Sequence, residues 1–229
     1  MSTPEFNKIE SENSLVISFL SLRRLIGYLG IGLPLILIVG SVLVGDCKEV
    51  QPSISAYYHT IMRDIFVAVI SMIAIFLFSY KGYDSADRIS CKLAALFAMG
   101  VALFPTEIGE LTPCVVGSGN DNELIGHLHL FFACSFFLMI SFISICLFTK
   151  SDKETPSKEK RTRNKIYKGA GYLIIGCLIG IGVYWWVVLG VFPDSAKFKP
   201  VFFFEAFALL AFGVSWLIKG QFLLRDSGQ

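Results

Sequence analysis

Six apolar runs, each close to the length of a bilayer-crossing helix, leave few ways to fold this chain. A spanning helix needs about 20 mostly apolar residues. Runs of that kind, bounded by charge or by Gly/Pro turns, occupy 25–45, 61–80, 89–104, 125–149, 170–192 and 200–218. Composition agrees: of 229 residues, 54% are hydrophobic and 17% charged, where a soluble domain carries about a quarter. Low charge, aperiodic glycine and few cysteines for this length exclude disordered, fibrous and disulfide-scaffold classes. The expected fold is all-α, a polytopic membrane protein built as a six-transmembrane-helix bundle. Each helix satisfies its own backbone in lipid, and short connections make neighbours antiparallel. Three regions follow: a cytoplasmic or interfacial segment over 1–24, a transmembrane domain over 25–220, and a cytoplasmic tail over 221–229.

Orientation follows from the Lys/Arg bias of alternate loops, because cytoplasmic loops retain positive charge. With six spans, sixteen Lys and Arg fall on one side, eight of them between Lys150 and Lys168. Only Lys48, Arg63, Lys197 and Lys199 fall on the other. Both termini are therefore expected in the cytoplasm of a bacterial inner membrane. Arg23 and Arg24 before the first run resemble a signal-peptide start, but the apolar stretch is too long and no small-x-small site follows it, so it reads as a retained helix. The charge run from Ser151 to Arg163 reads as a solvated, topology-setting loop near anionic lipid rather than a nucleic-acid site.

This topology leaves Cys47 and Cys114 as the two cysteines outside the membrane, each in an external loop. On an oxidising face they are expected to form a disulfide, the alternative being two free thiols too far apart to bridge. Cys91, Cys134, Cys146 and Cys177 read as small apolar packing residues.

Ionisable groups at membrane depth are costly and point to function. They cluster at the external ends of the runs: His59, Arg63 and Asp64 by the second, Glu107 after the third, His127 and His129 in the fourth, Glu205 in the sixth. If 52–64 is helical, Ser55, His59 and Arg63 share a face, with Tyr57 and Tyr58 beside them. Arg63 then needs an acid such as Glu107 or Glu205. Glu205, flanked by Phe202, Phe203, Phe204 and Phe207, is a desolvated carboxyl, fit as proton donor or as partner of Arg63. His59, His127 and His129 with an acid would suffice for zinc and an activated water. Positions two apart on a helix diverge by about 200°, so both His127 and His129 reach one ion only if the helix starts after His129. Tyr80 to Arg88 reads as a helix–helix connector. Gly176 and Gly180 form a GxxxG spacing that admits another helix closely, from the same chain or, in a homo-oligomer, from a second copy.

Two resemblances attach to these residues. Six spans, Pro52-Ser53-Ile54-Ser55, His127 opening the fourth span, Glu205 early in the sixth and Phe212-Gly213-Val214-Ser215 resemble the DRAM/Sfk/FRAG superfamily. That resemblance covers 25–220 and implies a lipid-linked role. Ser55-x-x-x-His59 looks like the second-span motif of the CREST hydrolases, which implies zinc-dependent chemistry, although their seventh span and HxxxH pair have no counterpart here.

The leading expectation is an outer-leaflet-facing polar pocket that binds lipid headgroups without a cofactor. Ser55, Tyr58, His59, Arg63, Asp64, Glu107, His127 and Glu205 would line it, with Arg63 on a phosphate or carboxylate. The alternatives are a zinc-dependent membrane lipid hydrolase and an oligomeric channel or transporter.

Overall fold

Helix α1, Ser14–Gly45, is one 32-residue element that includes Pro34 without interruption. The computed structural model describes residues 14–80, 82, 84–109, 112–117, 122–150 and 157–221. Residues 1–13 of the expected interfacial segment, 151–156 of the basic loop and 222–229 of the tail lie outside them. After α1 come a 3-10 turn over Ser55–His59, α2 (Arg63–Ser79) and α3 (Ser85–Leu103). Helix α4 (Glu123–Phe142) continues into a π turn over Ile143–Leu147. Helix α5 (Lys158–Val183) runs through a second π turn, Tyr184–Val188, to Val191, and α6 is Pro200–Lys219.

Local chemistry sets the helix starts. The side chains of Asp84, Asn122 and Ser157 accept from the backbone N–H of Asp87, Leu124 and Lys160, capping α3, α4 and α5. Pro200 occupies the first turn of α6, where its missing N–H costs nothing.

Each helix packs on its neighbours in the chain, and α6 closes back on α1, so the six form a ring around a filled interior. Ile26, Leu33, Leu37, Phe66, Ile73, Ile140, Phe212 and Trp216 are fully buried there, while Leu35, Leu43, Phe78, Trp186 and Phe207 cover the outside. Among the described residues, four helical stretches are long and apolar enough to cross a membrane: Leu20–Gly45, Glu123–Leu147, Lys158–Val191 and Pro200–Lys219. Helix α2 is shorter, at 17 residues, and α3 carries Asp87, Arg88 and Lys92 in its first turns.

The α1–α6 crossing depends on two glycines. A Cβ on Gly213 would lie 2.6 Å from the Gly27 carbonyl oxygen, and one on Gly27 would lie 2.8 Å from that of Gly213. Backbones approach this closely only where neither residue has a side chain. The fifth-helix glycines behave differently: Gly180 receives the Phe204 ring, whereas Gly176 opens outward. The face expected to serve a second copy is thus partly occupied within the chain. Gly213→Ala should cost about 1–3 kcal/mol by forcing the two backbones apart. That would appear as a lowered melting midpoint in detergent, with Gly182→Ala, which meets nothing within 4 Å, unchanged.

Candidate functional site

The segment between α1 and α2 contains no α-helix, and its backbone and side chains find partners on two other parts of the chain. Cys47 is disulfide-bonded to Cys114, with Cα atoms 6.1 Å apart. The Gln51 side-chain amide donates to the Pro113 carbonyl at 3.0 Å, and the Val116 N–H donates to the His59 carbonyl at 2.8 Å. On the other side, the Phe202 N–H donates to the Pro52 carbonyl at 3.1 Å, and the Lys199 ammonium donates to that of Val50. A cap over this end of the ring results, tied to the α3–α4 connection and to the start of α6.

Glu205 anchors the centre of that cap. The Ile54 N–H donates to its carboxylate at 2.5 Å, and the Ser55 N–H and hydroxyl face the same group. Beside it lies a cavity of about 30 Å³ walled by Leu33, Phe66, Ile70, Val101, Ala133, Phe136, Phe137 and Leu209, with Ser55 and Glu205 as its polar groups. That volume holds one or two waters or a small polar group. Glu205 itself is half-buried.

The other expected site residues do not converge on this cavity. The 52–64 segment is not one continuous helix: a 3-10 turn ends at His59, Thr60 is extended, and α2 begins at Arg63. With 3.0 residues per turn, positions i and i+4 part by about 120°. Ser55 therefore meets Glu205, while His59 turns to the Thr106 carbonyl and donates to it from Nε2 at 2.7 Å. Arg63 does not pair with Glu107 or Glu205. Its guanidinium lies 4.8 Å from the centre of the buried Tyr58 ring and donates to the Tyr58 hydroxyl at 3.2 Å. Arg63, Asp64 and Glu107 are exposed, so water removes the need for a buried acid partner.

Helix α4 starts at Glu123, ahead of both of its histidines, and sends them to different faces. His127 is exposed, whereas His129 is buried and donates from Nδ1 to the Phe104 carbonyl at 2.6 Å. His59, His127 and His129 thus do not share a centre, and no group of three His, Cys, Asp or Glu able to hold a metal occurs among the described residues. What this end offers chemically is one hydrogen-bonded carboxylate and one hydroxyl in an apolar chamber.

A second polar concentration lies at the opposite end of the ring, where sequence reasoning saw only a connector. Lys219 is buried, with its ammonium 4.9 Å from the centre of the Phe148 ring. Trp216, fully buried, meets Tyr80 and Phe148 edge-on. Arg23 donates to the Lys219 carbonyl at 3.3 Å, and Lys160 to that of Phe148 at 3.0 Å. Asp87 is buried, and Lys150 reaches both Asp84, at 2.7 Å, and Asp87, at 3.4 Å. That hydrogen bond holds the Asp84 carboxyl below its ordinary range and raises Lys150. The signal was present in the sequence: Asp87, Cys91, Ala94 and Ala98 follow helical spacing on the buried face of α3.

Fold and site together define, among the described residues, an all-α chain with four helices long and apolar enough to cross a membrane and a folded cap at one end. No family model, curated protein or solved structure matches the chain.

Removing the Glu205 acceptor leaves the Ile54 N–H without its partner inside the cap. Glu205→Leu should cost about 1–3 kcal/mol of stability, and Glu205→Gln, which keeps one acceptor oxygen, clearly less. Thermal unfolding in detergent separates the two variants. The disulfide predicts a count as well: in denatured, unreduced protein a maleimide should label four cysteines, the free ones being Cys91, Cys134, Cys146 and Cys177. Two more should react after reduction.

Proposed function

We propose that this chain is a six-span protein of a bacterial inner membrane, with both termini in the cytoplasm. In this reading the cap carries the Glu205 cavity at the outer leaflet, where it binds the polar end of a membrane amphiphile. The Lys/Arg bias and a disulfide at the cap end support that orientation. Treating α2 and α3 as spans rests on their place in the ring. Helix α2 is all but long enough, and the charges of α3 sit at the end away from the cap.

The observation that carries the binding function is a carboxylate and a hydroxyl facing an apolar cavity within a ring of lipid-compatible helices. At about 30 Å³ the cavity takes a hydroxyl or ammonium tip, not a whole lipid. Hydrocarbon would lie along α6, where Phe203 and Phe207 are exposed on either side of Glu205. Glu205 accepts from a headgroup donor, and Ser55 supplies a second hydrogen bond. Arg63 lies in the same cap at the surface, against the buried Tyr58, where a headgroup phosphate would be reached. The resemblance to the DRAM/Sfk/FRAG superfamily supports a lipid-linked role, since Pro52 to Ser55 and Glu205, two of the elements that carry it, are in contact here.

Native mass spectrometry of protein extracted from its own membrane tests the reading. Wild type should retain about one lipid per chain, and Ala133→Phe, which fills the cavity without touching the Glu205 hydrogen bonds, should retain several-fold less, since a tenfold loss needs only about 1.4 kcal/mol. Equal retention by a folded Ala133→Phe variant would remove the cavity from lipid binding.

A further inference from the structure

The chamber beside Glu205 holds a negative group with no positive counterpart. The groups that meet the Glu205 carboxylate are uncharged donors of the cap, the Ile54 N–H and the N–H and hydroxyl of Ser55. A carboxylate offers about four acceptor positions, so these donors leave room for a ligand. The cations of the cap are engaged elsewhere: Arg63 with Tyr58, Lys199 with the Val50 carbonyl and with Glu49 at 4.0 Å, and His59 and His129 with the carbonyls of Thr106 and Phe104. Among the described residues, no Lys, Arg or His side chain pairs with Glu205. An uncompensated anion at membrane depth is costly, and a cation brought by a ligand offsets that cost. The wall of the chamber suits a cation too: Phe66, Phe136 and Phe137 stand in it, and aromatic rings attract positive charge.

We propose that the Glu205 chamber takes a primary ammonium group, so that its ligand is an amine-headed amphiphile and not a hydroxyl-headed one. This assignment rests on the chamber being a lipid site. Volume narrows the class: about 30 Å³ admits an –NH3+ tip, whereas a trimethylammonium is too bulky and has no N–H to donate. Charge decides between ammonium and hydroxyl, because a charge-assisted hydrogen bond is roughly twice as strong as a neutral one. A primary ammonium reaches the chamber either on a phosphatidylethanolamine headgroup or as a free amine.

Purified, delipidated protein in detergent is titrated with short-chain phosphatidylethanolamine, phosphatidylglycerol and phosphatidylcholine, and separately with ethanolamine. Phosphatidylethanolamine should bind about tenfold more tightly than either other lipid, a preference of about 1.4 kcal/mol. Ethanolamine that binds as tightly as phosphatidylethanolamine assigns the ammonium to a free amine, and ethanolamine that binds far more weakly assigns it to the lipid. Glu205→Gln, which keeps an acceptor for the Ile54 N–H, should erase the preference and leave phosphatidylglycerol binding near the wild-type value. Equal binding of phosphatidylethanolamine and phosphatidylglycerol by wild type, or a preference that survives in folded Glu205→Gln protein, would overturn the ammonium assignment. Ala133→Phe separates the two readings. If it weakens every lipid while wild type shows no headgroup preference, the chamber still binds lipid and only the ammonium assignment falls; if it leaves every lipid bound as in wild type, the chamber itself is removed.

Discussion

Everything at the cap end depends on one carboxylate meeting the backbone of a turn. Residues 46–62 contain no α-helix, and backbone packed outside a helix persists only when its N–H and C=O groups have partners. Glu205 accepts from Ile54, and the Phe202 N–H just before it donates to Pro52. The start of α6 thereby supplies both an acceptor and a donor to the same turn. With that junction in place, His59 and His129 can complete the cap by donating to the carbonyls of Thr106 and Phe104. These two histidines serve as structural donors at this end.

The two ends of the ring handle polar groups in different ways. At the cap, Arg63, Asp64 and Glu107 reach water, the buried side chains of Gln51, His59, Thr60 and His129 donate to backbone carbonyls, and the small cavity keeps a single carboxylate. At the other end, charged side chains are enclosed by aromatic rings: Lys219 against Phe148, Arg23 5.3 Å from the centre of the Tyr80 ring, and Trp216 packed between Tyr80 and Phe148. Rings of this kind offer cations an attractive face, and the Tyr80 hydroxyl also accepts from Arg23 at 3.4 Å. Enclosed charge is therefore concentrated where the ends of α1, α5 and α6 meet.

Much of the architecture was legible residue by residue. The apolar runs located most helix ends to within a few positions, except that α1 begins at Ser14, α3 at Ser85 and α5 at Lys158, ahead of their apolar stretches. At α3 and α5 a capping side chain starts the helix in polar sequence, which a search for apolar runs passes over. The Cys47–Cys114 pairing followed from exposure and parity and is present. The site was less legible. Ser55 and Glu205 were marked for their positions and do meet, but Arg63, Asp64, Glu107 and His127 were grouped with them by depth alone, and depth does not say which way a side chain turns.

The sequence by itself determined an all-α chain with membrane-length helices and a cross-linked pair of loops, because length, hydropathy and cysteine placement are local properties. Only the tertiary structure decided that 55–59 turns as a 3-10 element and sends Ser55 and His59 apart, and that Arg63 lies over Tyr58. It also decided that Lys219 is enclosed at the opposite end. Those outcomes depend on the angle at which one helix meets another, which is set by side-chain packing and by close approaches such as Gly27 on Gly213.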